Sequence, residues 1–492
     1  MKKKLIIIST IVLASPLLYS FCGLYVSKAD ATLKNKTSQV ILVRDGNRNV
    51  ITMYNDFKGD TKDFAMVVPV PVVLQKSDVK VIDQSLFQRL NEYSAPRLVA
   101  YYDNNPCDMA KREIEDNMMP AAALSEALVT GYGTLKKQKA VKIEAQYIVG
   151  EYDIVILSAK ESGALKTWLD DNGYKLPNQA EEVLDPYIKS NLKFFVVKVN
   201  EAEKKKLPGN FLRPIQISFR SPKFMLPIRL GMANADGNQD LIVYAFTRAG
   251  RVECTNFRNV NIPTGMNIPL FVQRNFGTFY ENLFSHQWKK EEEAVSFLEY
   301  AWDVSPQNYL KCDPCVATAP SEQDLVQSGV NWLYQNWEDY SDVSDEEDLT
   351  EPSSKVLFTR LHFRYNRRSF AQDLMFQTTA DNSSFQARYV ITHPATGKMS
   401  CPAGQQYLKD LKERRRNELN NLTALTGRTF NNWQQLAVEA SETSVDNQAQ
   451  YTTLIPQLQQ DKDQHEEGRL PLFAFGALVL VSAGLLKWRQ MI

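Results

Sequence analysis

Apolar positions along the chain fall into two rhythms, alternate residues in short runs and every third or fourth residue in longer ones, which mark strands and helices respectively. Gln39-Val40-Ile41-Leu42-Val43-Arg44, the turn Asp45-Gly46-Asn47 and Asn49-Val50-Ile51-Thr52-Met53-Tyr54 predict a β-hairpin, because Asp-Gly between β-rich runs supplies its tight turn. Phe64-Ala65-Met66-Val67-Val68-Pro69-Val70-Pro71 is expected to complete a meander, its prolines confining that end to a sheet edge. Leu86, Phe87, Leu90 and Tyr93 then recur at helical spacing and predict a helix that caps the sheet.

The stretch from Cys107 to Lys139, punctuated by Met118-Met119-Pro120 and Gly131-Tyr132-Gly133, reads as helix then loop. Val141 to Val149 and Tyr152 to Leu157 are strand-like and meet at Gly150-Glu151. Leu165, Trp168 and Leu169 mark a short helix, a second helix covers Glu181 to Ser190, and Leu192 to Val199 is a strand. Pro214 to Phe219, Phe224 to Leu230, Leu241 to Thr247 and Val252 to Val260, separated by turn residues, predict an antiparallel sheet. Phe279, Leu283, Phe284, Val295, Leu298 and Trp302 then extend one long helix from Phe276 to Trp302.

Beyond a helix near Leu325 to Leu333, the acid run Glu338 to Asp348 reads as a hydrated linker, since like charges repel; it lacks the ligand order of a calcium loop. Val356 to Tyr365, Leu374 to Thr378 and Ser384 to Thr392 form a smaller strand set, followed by a helix from Gln405 to Leu425. Leu408, Leu411, Leu419 and Leu422 share one face of that helix, with Arg414-Arg415-Arg416 expected on solvated faces.

The ends change the picture. Met1-Lys2-Lys3-Lys4 followed by apolar Leu5 to Tyr19 has the form of an export signal, and Ala29-Asp30-Ala31 offers cleavage after Ala31. Cys22 raises lipidation as a rival, against which the bulky Phe21 counts. Leu470 to Leu486 is 17 residues without a charge, roughly 26 Å of helix, close to the minimum for a bilayer span. Lys487 and Arg489 beyond it suit the inner side of a membrane if the body is exported. A buried core helix or a processed sorting tail would show a similar pattern.

The expected fold class is therefore α+β, largely antiparallel sheets with packed helices, plus an N-terminal signal peptide and a C-terminal transmembrane helix. The expected order is a signal at 1–31 and a main body at 32–335, divisible near 200, then an acidic linker at 336–355 and a smaller domain at 356–430. A polar tether at 431–469 and a transmembrane helix at 470–488 complete it.

Among the chain's 492 residues, 57 Lys and Arg balance 57 Asp and Glu, so no basic footprint argues for nucleic acid. The 4 histidines stand apart, and no metalloprotease, nucleophile-elbow, P-loop or dinucleotide motif is present, so no cofactor is expected. Ser77-Asp78-Val79-Lys80 matches Ser-x-x-Lys without the companion motifs of penicillin-binding enzymes.

Chemistry concentrates in Cys312-Asp313-Pro314-Cys315. Removing the leader leaves these two thiols with Cys107, Cys254 and Cys401, and in an exported chain disulfides are the default. Three roles compete for the pair: a junction bridged to Cys107 and Cys401, a redox pair, or two zinc ligands. A redox pair gains from a helix directly after it, and Val316 to Pro320 predicts none; zinc needs a second soft pair. Mid-strand Cys254 is the expected odd thiol.

Phe64 to Pro71, Ser94-Ala95-Pro96-Arg97-Leu98-Val99, Val149-Gly150-Glu151-Tyr152-Asp153-Ile154 and Ser221 to Gly231 together resemble the bacterial family catalogued as domain of unknown function 2330. Cys312 to Cys315 and Thr359-Arg360-Leu361-His362 match it too. The resemblance runs from about Ser38 to Cys401 and implies an exported envelope protein, without implying an activity. It also implies that Cys107, Cys312, Cys315 and Cys401 are the shared set and that Cys254 is not. The expected function is a binding or structural role in the cell envelope, with the membrane and an envelope protein or ligand as partners; the alternative is a thiol-disulfide oxidoreductase using Cys312 and Cys315.

Overall fold

The computed structural model describes residues 24–25, 37–54, 65–109, 141–172, 180–207, 212–233, 237–333, 355–366, 369 and 372–428. The expected leader apart from Leu24–Tyr25, with Cys22 and Ala31, lies outside them, as do the acid run 338–348, the tether 431–469 and the apolar segment 470–488. Among the described residues no helix is long and apolar enough to cross a membrane. The fold is α+β, with mostly antiparallel sheets and several helices. Two compact units interleave along the chain: Met1–Pro96, Pro120–Ile262 and Trp288–Ala387 form the first, and Arg97–Met119, Pro263–Gln287 and Arg388–Ile492 the second.

In the first unit a nine-stranded sheet runs in the order Arg258–Asn261, Val295–Asp303, Leu357–Tyr365, Gln239–Thr247, Thr37–Asp45, Arg48–Tyr54, Ile215–Arg220 and Val79–Val81, with Phe385–Gln386 also paired to Val295–Asp303. A five-stranded sheet orders Leu24–Tyr25, Ala65–Val70, Lys193–Val199, Tyr152–Ala159 and Val141–Val149. Alternation decides what each face meets. Val40, Leu42, Ile51 and Met53 of the large sheet share one cluster with Met66, Val68, Ile154, Ile156, Phe195 and Val197 of the small one. The other face of the large sheet, with Ile41, Val43, Val50, Tyr244 and Phe358, is covered by Leu86, Phe87, Leu90 and Tyr93 of the helix Ser85–Ser94, as expected of a capping helix.

Several expectations are corrected. Ala65–Val70 does not complete a meander with the first hairpin; it joins the five-stranded sheet between Leu24–Tyr25 and Lys193–Val199. The long helix is two elements, a helix Phe276–Lys290 and a strand Val295–Asp303. Glu292 and Glu293 break it with positive φ, and the strand is buried on both faces, so its period of two is hidden and its apolar residues mimic helical spacing. The predicted antiparallel block around 214–260 is instead dispersed, and Gln239–Thr247 lies parallel to Thr37–Asp45. Residues from 356 do not begin a separate domain, because Leu357–Tyr365 pairs with Gln239–Thr247 and with Val295–Asp303 inside the large sheet. No split falls near 200 either, since both sheets pack about one core.

The second unit pairs Arg97–Tyr102 in parallel with Arg388–His393 and carries the 25-residue helix Pro402–Thr426. Phe276 and Phe279 pack their rings on Tyr389. The arginines of that helix are not all solvated: Arg415 is buried and its guanidinium donates to the equally buried Glu418 at 2.6 Å, while Arg414 donates to Asp103 at 3.1 Å. Burial raises the Glu418 carboxyl above its ordinary pKa, with Arg415 opposing the rise.

One of the recurring phrases is explained by backbone need. Gly150 closes a hairpin at φ +55°, where a Cβ would stand 2.9 Å from Val81 and from the Arg213 guanidinium. The fully buried Glu151 accepts from the Arg213 backbone N–H at 2.8 Å and from its guanidinium at 2.8 Å, which clamps that hairpin to the chain.

Candidate functional site

The loop Ser305 to Pro320 follows the strand Val295–Asp303 and has no regular structure, yet its backbone is held from several sides. The hydroxyls of Tyr93 and Tyr300 each donate to the Lys311 carbonyl at 2.6 Å, and the Trp302 indole N–H donates to the Leu310 carbonyl at 2.6 Å. Gln386 donates through Nε2 to the carbonyls of Asp313, at 3.0 Å, and Pro314, at 3.3 Å. These donors come from the capping helix, the preceding strand and the short strand Phe385–Gln386, so the large sheet itself fixes the loop.

Within this frame Cys312 and Cys315 bond to each other, with Cα atoms 5.1 Å apart. The expected junction with Cys107 and Cys401 is therefore corrected: those two form their own bridge, with S–S 2.03 Å and Cα atoms 5.8 Å apart. Both bridges lie inside single units, the first in the first unit and the second in the second. The two cysteines of the loop differ in access. Cys312 is 2% exposed in the cluster that contains Tyr93, Tyr300 and Phe358, whereas Cys315 is exposed. Tyr309, Leu310 and Val316 around them are 91%, 64% and 58% exposed.

No helix starts at either sulfur of this pair; the next helix, Glu322–Ser328, is capped by the Ser321 hydroxyl and Asp324. Lys311 beside Cys312 has its ammonium pushed below the ordinary lysine range by burial, with Asp303 and Glu322 opposing the shift. What the arrangement offers chemically is one accessible sulfur backed by one inaccessible sulfur, the requirement for directional thiol–disulfide exchange.

The Cys107–Cys401 bridge is built otherwise. Cys401 is the N-cap of the helix Pro402–Thr426, and its sulfur accepts from the Gly404 N–H at 3.2 Å. A Cβ on Gly404 would stand 2.8 Å from the Cys107 sulfur, so the bridge and the helix start require glycine there. Cys254 is free and buried, as expected, and burial pushes its thiol up to about 11, which makes it inert as a nucleophile.

Thr359 to His362 belongs to a buried ionic network that the sequence did not reveal. Arg360 donates to Glu299 at 2.5 Å and to Asn91 at 2.8 Å, and His362 Nδ1 is 2.7 Å from the other Glu299 oxygen. Arg364 grips Asp240 at 2.7 and 2.9 Å, 3.7 Å from His362 Nε2. Burial lowers the His362 pKa, but the charges of Glu299 and Asp240 and the hydrogen bond to Glu299 outweigh it and hold the value above the ordinary one. Burial works against the charge on Asp240, but His362 and Arg364 outweigh it and hold that carboxyl well below the carboxylate range. The charged residues at alternate positions of Thr359-Arg360-Leu361-His362-Phe363-Arg364 were the available signal, since they place three cations on one face of a buried strand.

In the second unit a polar cleft of about 290 Å³ is lined by Asn267, Asp410, Glu413, Arg414, Asn417 and Asn421, with Arg414 already committed to Asp103. Among the described residues no three His, Cys, Asp or Glu side chains are grouped to hold a metal ion.

Of solved structures, that of baculovirus P35 is similar to this chain at 9% identity, over 70% of this chain and 97% of that one, with a TM-score of 0.22, too low to indicate a shared fold. No curated protein matches the chain. Residues 16–377 match the family described as "Uncharacterized protein conserved in bacteria (DUF2330)", and they contain the Cys312–Cys315 loop, the Glu151 clamp and the Arg360 network. The chain belongs to this bacterial family.

Proposed function

We propose that this chain is an exported, membrane-tethered protein of the bacterial cell envelope whose first unit carries out thiol–disulfide exchange at Cys312–Cys315. The observation that carries the reading is the asymmetry of that bridge, an exposed Cys315 bonded to a buried Cys312. An attacking thiolate reaches only Cys315, and the sulfur it displaces stays beside the new bond, ready to resolve it. The basic and apolar leader supports export, and the apolar run 470–486 with Lys487 and Arg489 behind it supports a tether that leaves the body outside the cytoplasm. The pairing of Leu24–Tyr25 with Ala65–Val70 bears on leader removal, because cleavage after Ala31 leaves Ala65–Val70 as the edge of its sheet.

A second reading, in which the bridge only shapes its loop, is favoured by the number of side chains that hold the loop backbone. Cysteine trapping separates the two. Under exchange, Cys312→Ser accumulates reducible adducts on Cys315 in the producing cell, whereas Cys315→Ser does not, because its remaining thiol is buried. Under the shaping role the exposed Cys315 of Cys312→Ser carries small thiols alone, whereas under exchange its adducts include polypeptides. Localisation is tested by removing residues 470–492, which is expected to release the body into the soluble fraction; retention in the membrane would contradict the tether.

A further inference from the structure

We infer that the substrate of this exchange is a polypeptide dithiol in an extended, locally unfolded segment, docked on an apolar apron formed by Tyr309, Leu310 and Val316. The inference rests on the exchange reading above and adds the class of molecule that the site takes.

Leu310 lies two residues before Cys312, and Val316 directly follows Cys315. With consecutive Cα atoms about 3.8 Å apart and the bridged pair 5.1 Å apart, both side chains arise within one short stretch around the reactive sulfur. Tyr309 is one residue further and is 91% exposed, the most open large hydrophobic side chain among the described residues. Large apolar groups left in water around one reactive atom mark a contact surface.

The loop backbone beneath them is fixed by Tyr93, Tyr300, Trp302 and Gln386, so the apron cannot fold inward to hide these side chains without breaking those bonds. A small thiol has nothing to gain from such a surface, whereas a polypeptide with apolar residues beside its cysteines buries them there. A folded protein seldom offers both a free thiol and flanking apolar side chains, which is why the segment is an unfolded one.

The reaction balances without a further reagent. A thiolate of the substrate attacks the Cys315 sulfur; the Cys312–Cys315 bond breaks as the mixed disulfide forms, and the electron pair leaves on Cys312, which takes up a proton. The second substrate thiolate then attacks its partner sulfur in the mixed disulfide. Cys315 departs with the electron pair and is protonated. The substrate dithiol is oxidised by two electrons to a disulfide and the Cys312–Cys315 pair is reduced to a dithiol.

The test uses the full chain in detergent and three probes at equal thiol concentration: dithiothreitol, a dithiol peptide with Leu and Phe beside its cysteines, and the same peptide with Ser and Gly there. Loss of the Cys312–Cys315 bridge is followed by alkylation and mass measurement. The apolar peptide is expected to react about tenfold faster than the polar one, the advantage that burying one apolar side chain confers. In the combined variant Tyr309→Ser, Leu310→Ser and Val316→Ser that advantage disappears, while the dithiothreitol rate is unchanged. All three side chains are exposed, so the variant keeps its fold, and an unchanged thermal transition verifies it. Equal rates for the two peptides, or an advantage that survives in the variant, would overturn the apron and leave the exchange reading standing. Failure of dithiothreitol to reduce the bridge in the folded chain would overturn both.

Discussion

The two disulfides of this chain are built in opposite ways. Cys107–Cys401 spans 294 residues of sequence, and Cys312–Cys315 spans 3. A cross-link stabilises mainly by restricting the unfolded chain, and its effect grows with the logarithm of the loop it closes. The long bridge is worth about 5 kcal/mol on that basis, and the short one about 2 kcal/mol. Its length, its place at a helix start and its fit against Gly404 make Cys107–Cys401 the staple of the second unit. Among the described residues the first unit has no comparable covalent link; what fills that role is the buried network of Glu299, Arg360, His362, Asp240 and Arg364. Its disulfide presents only Cys315 at the surface.

The comparison is tested most severely by Cys401→Ser. Serine remains a good N-cap, so the loss reports the bridge alone, and it is expected to cost about 5 kcal/mol in chemical denaturation. A cost as small as that of the short bridge would break the contrast. Next, Arg360→Ala leaves the fully buried Glu299 without its guanidinium and is expected to destabilise the first unit by at least about 3 kcal/mol. A near-neutral outcome would show that the network does not replace a staple.

Proton linkage sharpens the same point. His362 has its folded pKa raised, so its contribution is complete below the unfolded value and is lost as pH rises through the folded one. Thermal stability is therefore expected to fall as pH rises through and above the ordinary histidine range, and to fall less in His362→Gln. Equal pH slopes in the two proteins would remove His362 from the network. Smallest of all, Cys312→Ser and Cys315→Ser are expected to cost no more than about 2 kcal/mol each, while both lose the proposed exchange chemistry.

How much of this was legible beforehand follows from what each feature depends on. The hairpin at 38–54, the capping helix through Leu86 to Tyr93 and the long helix after Cys401 are local, and the apolar rhythm shows them. The strand Val295–Asp303 was hidden because burial on both faces removes alternation. Partner choice among strands was hidden as well: Leu357–Tyr365 looks like the start of a new domain until Gln239–Thr247 is seen beside it. Cysteine pairing is a tertiary property, and four suitable thiols could not announce it. The odd thiol could be named because Cys254 sits in a strand-like run, and the strand Val252–Cys254 ends on it with the thiol buried. The apron around Cys315 was missed because exposure of Tyr309, Leu310 and Val316 is not written in their type.

The most direct measurement is graded reduction of the native chain by a small thiol, with each bridge followed by differential alkylation and peptide mass. Cys312–Cys315 is expected to open first, completely and without unfolding, while Cys107–Cys401 stays closed until the second unit unfolds. Opening of Cys107–Cys401 first, or opening of both only together with global unfolding, would contradict the division of labour between the two bridges.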